Sequence, residues 1–170
     1  MRVLRGPLHQ GLLKVWQRLP RRARIGIVHV LAPGYTVGAI CRLERADGSI
    51  LLVRHLYRNR WGLPGGLLQR GEAAPAAVVR EALEEVGVPI VVVGEPAVVV
   101  DPDPRRVDVV FRARLDDPAD ADRVRPCSPE IVEVGWFPPD DLPELQFEAA
   151  GALAALRRQG RPLPPALEGR

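Results

Sequence analysis

The chain has 170 residues, 46% of them hydrophobic and 26% charged, with 24 Lys+Arg against 21 Asp+Glu. That length suits one domain with its own core and room for tails, and the composition is that of an ordinary soluble globular protein. No run approaches the ~18 consecutive apolar residues of a spanning helix, which excludes an integral membrane helix. Cys41 and Cys127 lack a CxxC-type partner, which argues against a zinc knuckle or a disulfide framework and for a reducing, cytoplasmic setting.

The basicity sits at one end. Residues 1–24 carry Arg2, Arg5, Lys14, Arg18, Arg21, Arg22 and Arg24 and no acid, whereas the remainder holds 17 basic and 21 acidic residues. Within this arm Leu8, Leu12, Val15, Trp16 and Leu19 recur at helical spacing, so residues 8–19 are expected to form a short amphipathic helix stopped by Pro20. Such a helix packs on the domain or on a second copy; contact with nucleic acid or a membrane surface is the alternative. Residues 25–32 are too late and too short for a signal-peptide core, and they contain His29.

From Thr36 the pattern changes to period two. Val37, Ala39, Cys41 and Leu43 alternate with Gly38, Ile40, Arg42 and Glu44, as in a half-buried strand. Asp47-Gly48 is a hairpin signal, after which residues 49–55 return as a second strand. Residues 89–93 and 97–100 read as short β-branched strands, and 106–115 alternates again. Residues 116–129 form a polar loop long enough to act as a lid. A strand over 131–137, a helix over 145–158 and a frayed tail over 160–170 complete the chain. Domain organisation is therefore a basic arm (1–24), one domain (25–159) and a tail (160–170). Strands with helices at several places along the chain give an α/β layered fold around a sheet.

The chemistry lies between Trp61 and Val88. A helix starts near Pro75, favoured in the first turn. Val79, Ala82, Leu83 and Val86 mark its apolar face, flanked by Pro75 and Val78. Glu81, Glu84 and Glu85, at i, i+3 and i+4, cluster roughly opposite. A solvated acidic face is the plain reading of such a cluster. The other is a site for Mg²⁺, or Mn²⁺, which takes carboxylate oxygens and shares its shell with substrate phosphates. The preceding Leu63-Pro64-Gly65-Gly66 favours the latter: two glycines permit close backbone approach, and Gly66 can offer a bare carbonyl. Arg54, Arg58, Arg60 and Trp61, together with His55, Tyr57 and Gly65, stand where they would hold phosphate and stack a base; the alternative is a plain surface loop.

Gly66, five residues, Glu72, seven residues, then Arg80-Glu81-Ala82-Leu83-Glu84-Glu85-Val86-Gly87-Val88 resembles the Nudix box, Gx5Ex7REUxEExGU, at all seven literal positions. Chance would match these on the order of 10⁻⁷ times per starting position. The lead-in WGLPGG at 61–66 and the later EIVEVGWF at 130–137 are similar to the family as well. The resemblance spans about residues 36–158. It implies an α/β/α sandwich around a mixed β-sheet and a hydrolase of nucleoside diphosphates linked to another moiety. It also implies Glu81, Glu84, Glu85 and the Gly66 carbonyl as metal ligands, with Arg80 and Glu72 orienting them. The catalytic base would be Glu81 or an acid outside the box, Glu130 before Glu133. No Tyr follows Tyr57, against a dinucleoside-polyphosphate enzyme; Pro102 and Pro104 flank Asp103 near where ADP-ribose enzymes carry a Pro. ADP-ribose-like molecules, nucleotide sugars or alcohols and (d)NTPs thus remain the substrate classes. A non-catalytic nucleotide- or RNA-binding module of the same family is the alternative.

Overall fold

The computed structural model describes residues 16–32 and 34–159. The helix expected over 8–19 lies outside these except for 16–19, of which 16–18 are helical, and the tail at 160–170 lies outside altogether. Two compact units divide between Tyr35 and Thr36. In the first, α1 (Arg21–Leu31) starts directly after Pro20, which acts as its N-cap without a side-chain hydrogen bond. The arm boundary expected at residue 24 falls inside this helix. No described helix is long and apolar enough to cross a membrane.

The second unit runs β1 (Thr36–Glu44), β2 (Ile50–His55), β3 (Trp61–Gly62), β4 (Gly65–Leu67), α2 (Ala74–Val86), β5 (Ile90–Asp101), β6 (Arg106–Leu115), a 3₁₀ turn (Pro118–Arg123), β7 (Ile131–Phe137) and α3 (Phe147–Gln159). The strands form one mixed sheet in the order β3-β2-β1-β6-β5, with β4 paired to β1 and β7 to β2. The pairing of β1 with β6 is parallel and sets Thr36 beside Arg106; the others are antiparallel.

The alternation in β1 predicts one buried face, but Gly38, Ala39, Ile40 and Cys41 are all buried. The sheet is covered on both sides. Ala39, Cys41, Leu43, Leu51, Val53 and Phe111 pack with Ala77, Val78, Ala82 and Val86 of α2. Ile40, Ile50, Leu52 and Val110 pack with Ala149, Ala152, Leu153 and Leu156 of α3. Each large aliphatic so buried contributes about 1.5–3 kcal/mol, so both helix layers are fixed by the same strands. The fold is an α/β/α sandwich, as the resemblance implies.

Local chemistry sets the connections. At the hairpin Gly48 takes a φ of +84°, and Asp47 Oδ1 accepts the Ser49 N–H at 2.9 Å. The two strands expected over 89–100 are one strand, β5, whose register against β6 shifts between Val93 and Ala97; Gly94 there has a φ of +68°. The expected lid at 116–129 is instead tied down. Asp117 caps the 3₁₀ turn, Trp136 Nε1 donates to the Ala121 carbonyl at 3.3 Å, and Asp120 is buried against Arg123. The Arg125 and Cys127 N–H groups donate to the Val86 and Glu85 carbonyls at 3.3 and 2.9 Å, satisfying groups that the end of α2 would leave orphaned. The last helix begins at Phe147, not 145, because Leu145 bridges to Trp61.

One helical-wheel expectation fails. α2 buries Ala77, Val78, Ala82, Glu85 and Val86, while Leu83 is 53% exposed. The helix is rotated so that the Glu85 side chain enters the interior, which turns Leu83 outward. Leu83→Ala is therefore expected to change stability by no more than about 0.5 kcal/mol. Leu156→Ala, at a fully buried position, should cost about 2–5 kcal/mol. Urea denaturation of the two variants measures both.

Candidate active site

The rotation of α2 follows from the glycines before it. Gly65 has a φ of +139°, and a Cβ there would collide with the Ala39 carbonyl oxygen and come within 2.6 Å of Ile40 Cα. Only glycine lets β4 lie so close to β1. The N–H of Gly65 donates to Glu85 Oε2 at 2.9 Å, giving a carboxylate that is 7% exposed a hydrogen bond in the interior. A Cβ on the next residue, Gly66, would run into the Glu81 carboxylate. Two bare backbone positions thus seat two of the three helix glutamates.

Arg80 seats the remainder. Its Nε and Nη2 donate to Glu72 Oε1 and Oε2 at 2.8 and 3.0 Å, a paired contact that suits the planar guanidinium. Its Nη1 donates to Glu81 Oε1 at 2.9 Å and to Glu84 Oε2 at 3.0 Å. One cation therefore touches three carboxylates. The Arg80 guanidinium, helped by the Gln69 N–H, holds Glu72 down at about 2. Burial pushes the Glu81 carboxyl above the ordinary carboxylate range; Arg80 opposes this, and the charges of Glu85 and Glu84 add to it.

Glu81, Glu84 and Glu85 line a cavity of about 500 Å³ together with Gly65, Gly66, Arg58 and Glu130. These sequence-derived candidates, far apart in the chain, are brought together. Others are not. Arg54 is held by Glu133 at 2.6 Å across the β2–β7 pair, which occupies both side chains away from the cavity. Arg60 pairs with Glu144 at 2.6 Å, and Trp61 packs edge-on against Phe137, with ring centroids 4.9 Å apart. Glu72 lies behind Arg80 and is not among the cavity's lining residues.

The structure adds Arg106, Gln146 and Glu148 to these candidates. Arg106 joins the cavity because β6 pairs parallel with β1. Asp108, 5% exposed, holds its guanidinium at 2.8–2.9 Å. Gln146 and Glu148, where α3 begins, both accept from Arg58 Nη1, at 3.1 and 2.9 Å. His55 Nε2 lies 3.7 Å from Glu85 Oε1, and its Nδ1 lies 3.5 Å from Gln146 Nε2. The Glu130 carboxylate makes no hydrogen bond or ion pair among the described residues, although its backbone N–H takes Ser128 Oγ at 3.2 Å.

Among the described residues no three acidic, His or Cys side chains stand as a ready-made ion cage. Arg80 occupies Glu81 and Glu84, and Gly65 occupies Glu85. The donor set nevertheless fits a hard divalent cation: three carboxylates and a side-chain-free backbone face one cavity, and neither cysteine lines it. A divalent cation held here would compete with Arg80 for Glu81 and Glu84, while Glu72 would remain the partner of Arg80.

Comparison with known proteins is consistent with this geometry. The NUDIX domain family matches residues 34–158. A MutT-like protein of Streptomyces ambofaciens is 30% identical over 116 residues, 68% of this chain and 72% of that protein. The crystal structure of a NUDIX hydrolase from Nitrosomonas europaea is similar with a TM-score of 0.62 at 26% identity, covering 76% of each chain. The structure of an ADP-ribose pyrophosphatase from Streptococcus suis gives 0.59 at 27% identity, covering 77% of this chain and 96% of that one.

The Arg80–Glu72 pair makes acid stability testable. Glu72 is held at about 2 against an ordinary 4.5, so its contribution is fully present above pH 4.5 and is lost as the pH falls towards 2. In thermal melts from pH 6 to 2, Glu72→Gln is expected to lose less stability on acidification than the wild type. Parallel curves would contradict the assigned pairing.

Proposed function

The chain belongs to the Nudix family, and on that footing we propose that it is a divalent-metal-dependent hydrolase of a nucleoside diphosphate linked to another moiety. One observation carries the reading: Glu81, Glu84, Glu85 and Glu130 line the same cavity as the Arg58 and Arg106 guanidinium groups. Acidic groups for a cation and basic groups for phosphate in one cleft suit a diphosphate. Glu81, Glu84 and Glu85, with the Gly66 carbonyl, would hold Mg²⁺ or Mn²⁺. When bound, the ion supplies charge neutralisation of the diphosphate and acidification of a water.

The chain's own groups do the rest. Arg58, fixed by Gln146 and Glu148, and Arg106, fixed by Asp108, bind phosphate oxygens. Arg80 and Glu72 orient the helix carboxylates. Glu130, uncommitted at the cavity wall, takes the proton of the attacking water. The water oxygen forms the new P–O bond, the bridging P–O bond breaks, and the leaving phosphate departs with the electron pair. Glu81 would be held by the ion, which leaves Glu130 the freer base. The substrate is proposed to be ADP-ribose-like, a nucleotide sugar or alcohol, or a (d)NTP; the ADP-ribose pyrophosphatase among the similar structures favours the first. A cytoplasmic setting accords with the free Cys41 and Cys127.

Incubation of the pure protein with Mg²⁺ or Mn²⁺ and a panel of these nucleotides, with products resolved by chromatography, tests the reading. Glu85→Gln is expected to abolish turnover while keeping the fold; turnover at the wild-type rate would contradict its role. Glu130→Gln is expected to lower kcat by about 10²–10⁴-fold with metal affinity unchanged. A wild-type rate would assign the base to Glu81.

A further inference from the structure

A second cavity, of about 570 Å³, adjoins the first and has no part in the chemistry above. Arg58, Arg106 and Glu148 line both. Beyond that shared seam the character changes: the β5–β6 turn contributes Pro102 and Pro104 beside Asp101, and α3 contributes Phe147, Gly151 and Ala154 beside Arg158. The seam is built, not incidental. Asp108, buried beneath it, fixes Arg106 at 2.8 Å, and Gln146 and Glu148 fix Arg58. Two positioned cations therefore separate an acid-lined cleft from a largely apolar one.

The α3 wall has two features that its packing does not require. Phe147 exposes 76% of its surface although it stands at the start of a helix whose other face is core. An aromatic ring left in water at the mouth of a cavity is a stacking surface. Gly151 lies one turn further along the same face, and a Cβ built there meets nothing within 4 Å. Glycine is a poor choice in a helix interior, and no neighbour demands it. Its effect is open space beside the ring.

We propose that this cavity, between the β5–β6 turn and α3, is the subsite for the nucleoside of the substrate, with the base stacked on Phe147 and the diphosphate crossing the Arg58–Arg106 seam. The proposal rests on the diphosphate-hydrolase reading and adds which end of the substrate lies where. The volume falls in the range of about 300–1,000 Å³ typical of small-molecule sites. A flat ring flanked by prolines and small residues suits a planar heteroaromatic base, and Thr36, Asp101 and Arg158 on the same lining offer hydrogen bonds to its edge or to the ribose.

The test compares wild type, Gly151→Leu and Phe147→Ala in two measurements. AMP and ribose 5-phosphate are titrated calorimetrically into metal-free protein, and kinetics are measured on whichever substrate the panel identifies. Gly151→Leu fills the cavity from an open position, and thermal melts confirm that the fold is kept; Phe147→Ala removes an exposed ring and leaves the core untouched. Both variants are expected to weaken AMP binding and to raise KM by about tenfold or more, the size of a lost base-stacking contact, with kcat changed less than about threefold. Ribose 5-phosphate should bind more weakly than AMP and ignore Phe147→Ala. Unchanged AMP affinity and KM in both variants would overturn the subsite. AMP binding that the variants lose, in a protein that cleaves no diphosphate, would uphold the subsite and overturn the hydrolase reading.

Discussion

Four glutamates gathered around one helix are an electrostatic problem before they are a site. Two like charges about 4 Å apart repel by about 4 kcal/mol at an effective dielectric of 20, and α2 carries three of them within five residues. Arg80 answers this by touching Glu72, Glu81 and Glu84 at once, at 2.8–3.0 Å. Glu85, out of its reach, is held by the Gly65 N–H. Remove that arrangement and the carboxylates have no reason to stay together facing one cleft. The rest of the fold serves it: β4 needs its glycines so that the backbone can lie between β1 and α2, and both helix layers grip the same strands so that the cleft keeps its shape.

The local part of this was legible in the sequence, because its determinants lie within some twenty residues of one another. Pro75 marks the helix start, the i, i+3, i+4 spacing clusters the acids, and the double glycine promises close backbone approach. The far wall was not legible. Arg106 arrives through a parallel pairing of β1 and β6, and Gln146 and Glu148 arrive because α3 covers the opposite sheet face. Topology, which no short pattern encodes, brings them in. Arg54 and Arg60 fail for the converse reason. Each meets an acid, Glu133 or Glu144, supplied by a segment distant in sequence, and is spent on a surface ion pair. Leu83 shows how a single buried carboxylate outweighs a wheel: seating Glu85 turns an apolar residue into solvent.

The cleft is thus polarised along its length. Carboxylates occupy one end, fixed guanidinium groups the middle, and an apolar hollow the other end. Each part has its own support: Arg80 behind the acids, Asp108, Gln146 and Glu148 behind the cations, and α3 behind the hollow. A substrate with a diphosphate between two groups has matching polarity. The anchored segment at 116–129 caps the carbonyls of Glu85 and Val86, which ties down the end of α2 that carries the glutamates.

The most direct check is a titration of Mn²⁺ into uniformly ¹⁵N-labelled protein, followed by paramagnetic broadening of the amide signals. The account predicts saturable broadening centred on Gly65, Gly66 and residues 81–85, weaker at Glu130 and Arg58, and reversed by a chelator. Saturable binding that broadens signals elsewhere and leaves Gly65, Gly66 and 81–85 sharp would contradict the claim that these carboxylates form a cation site.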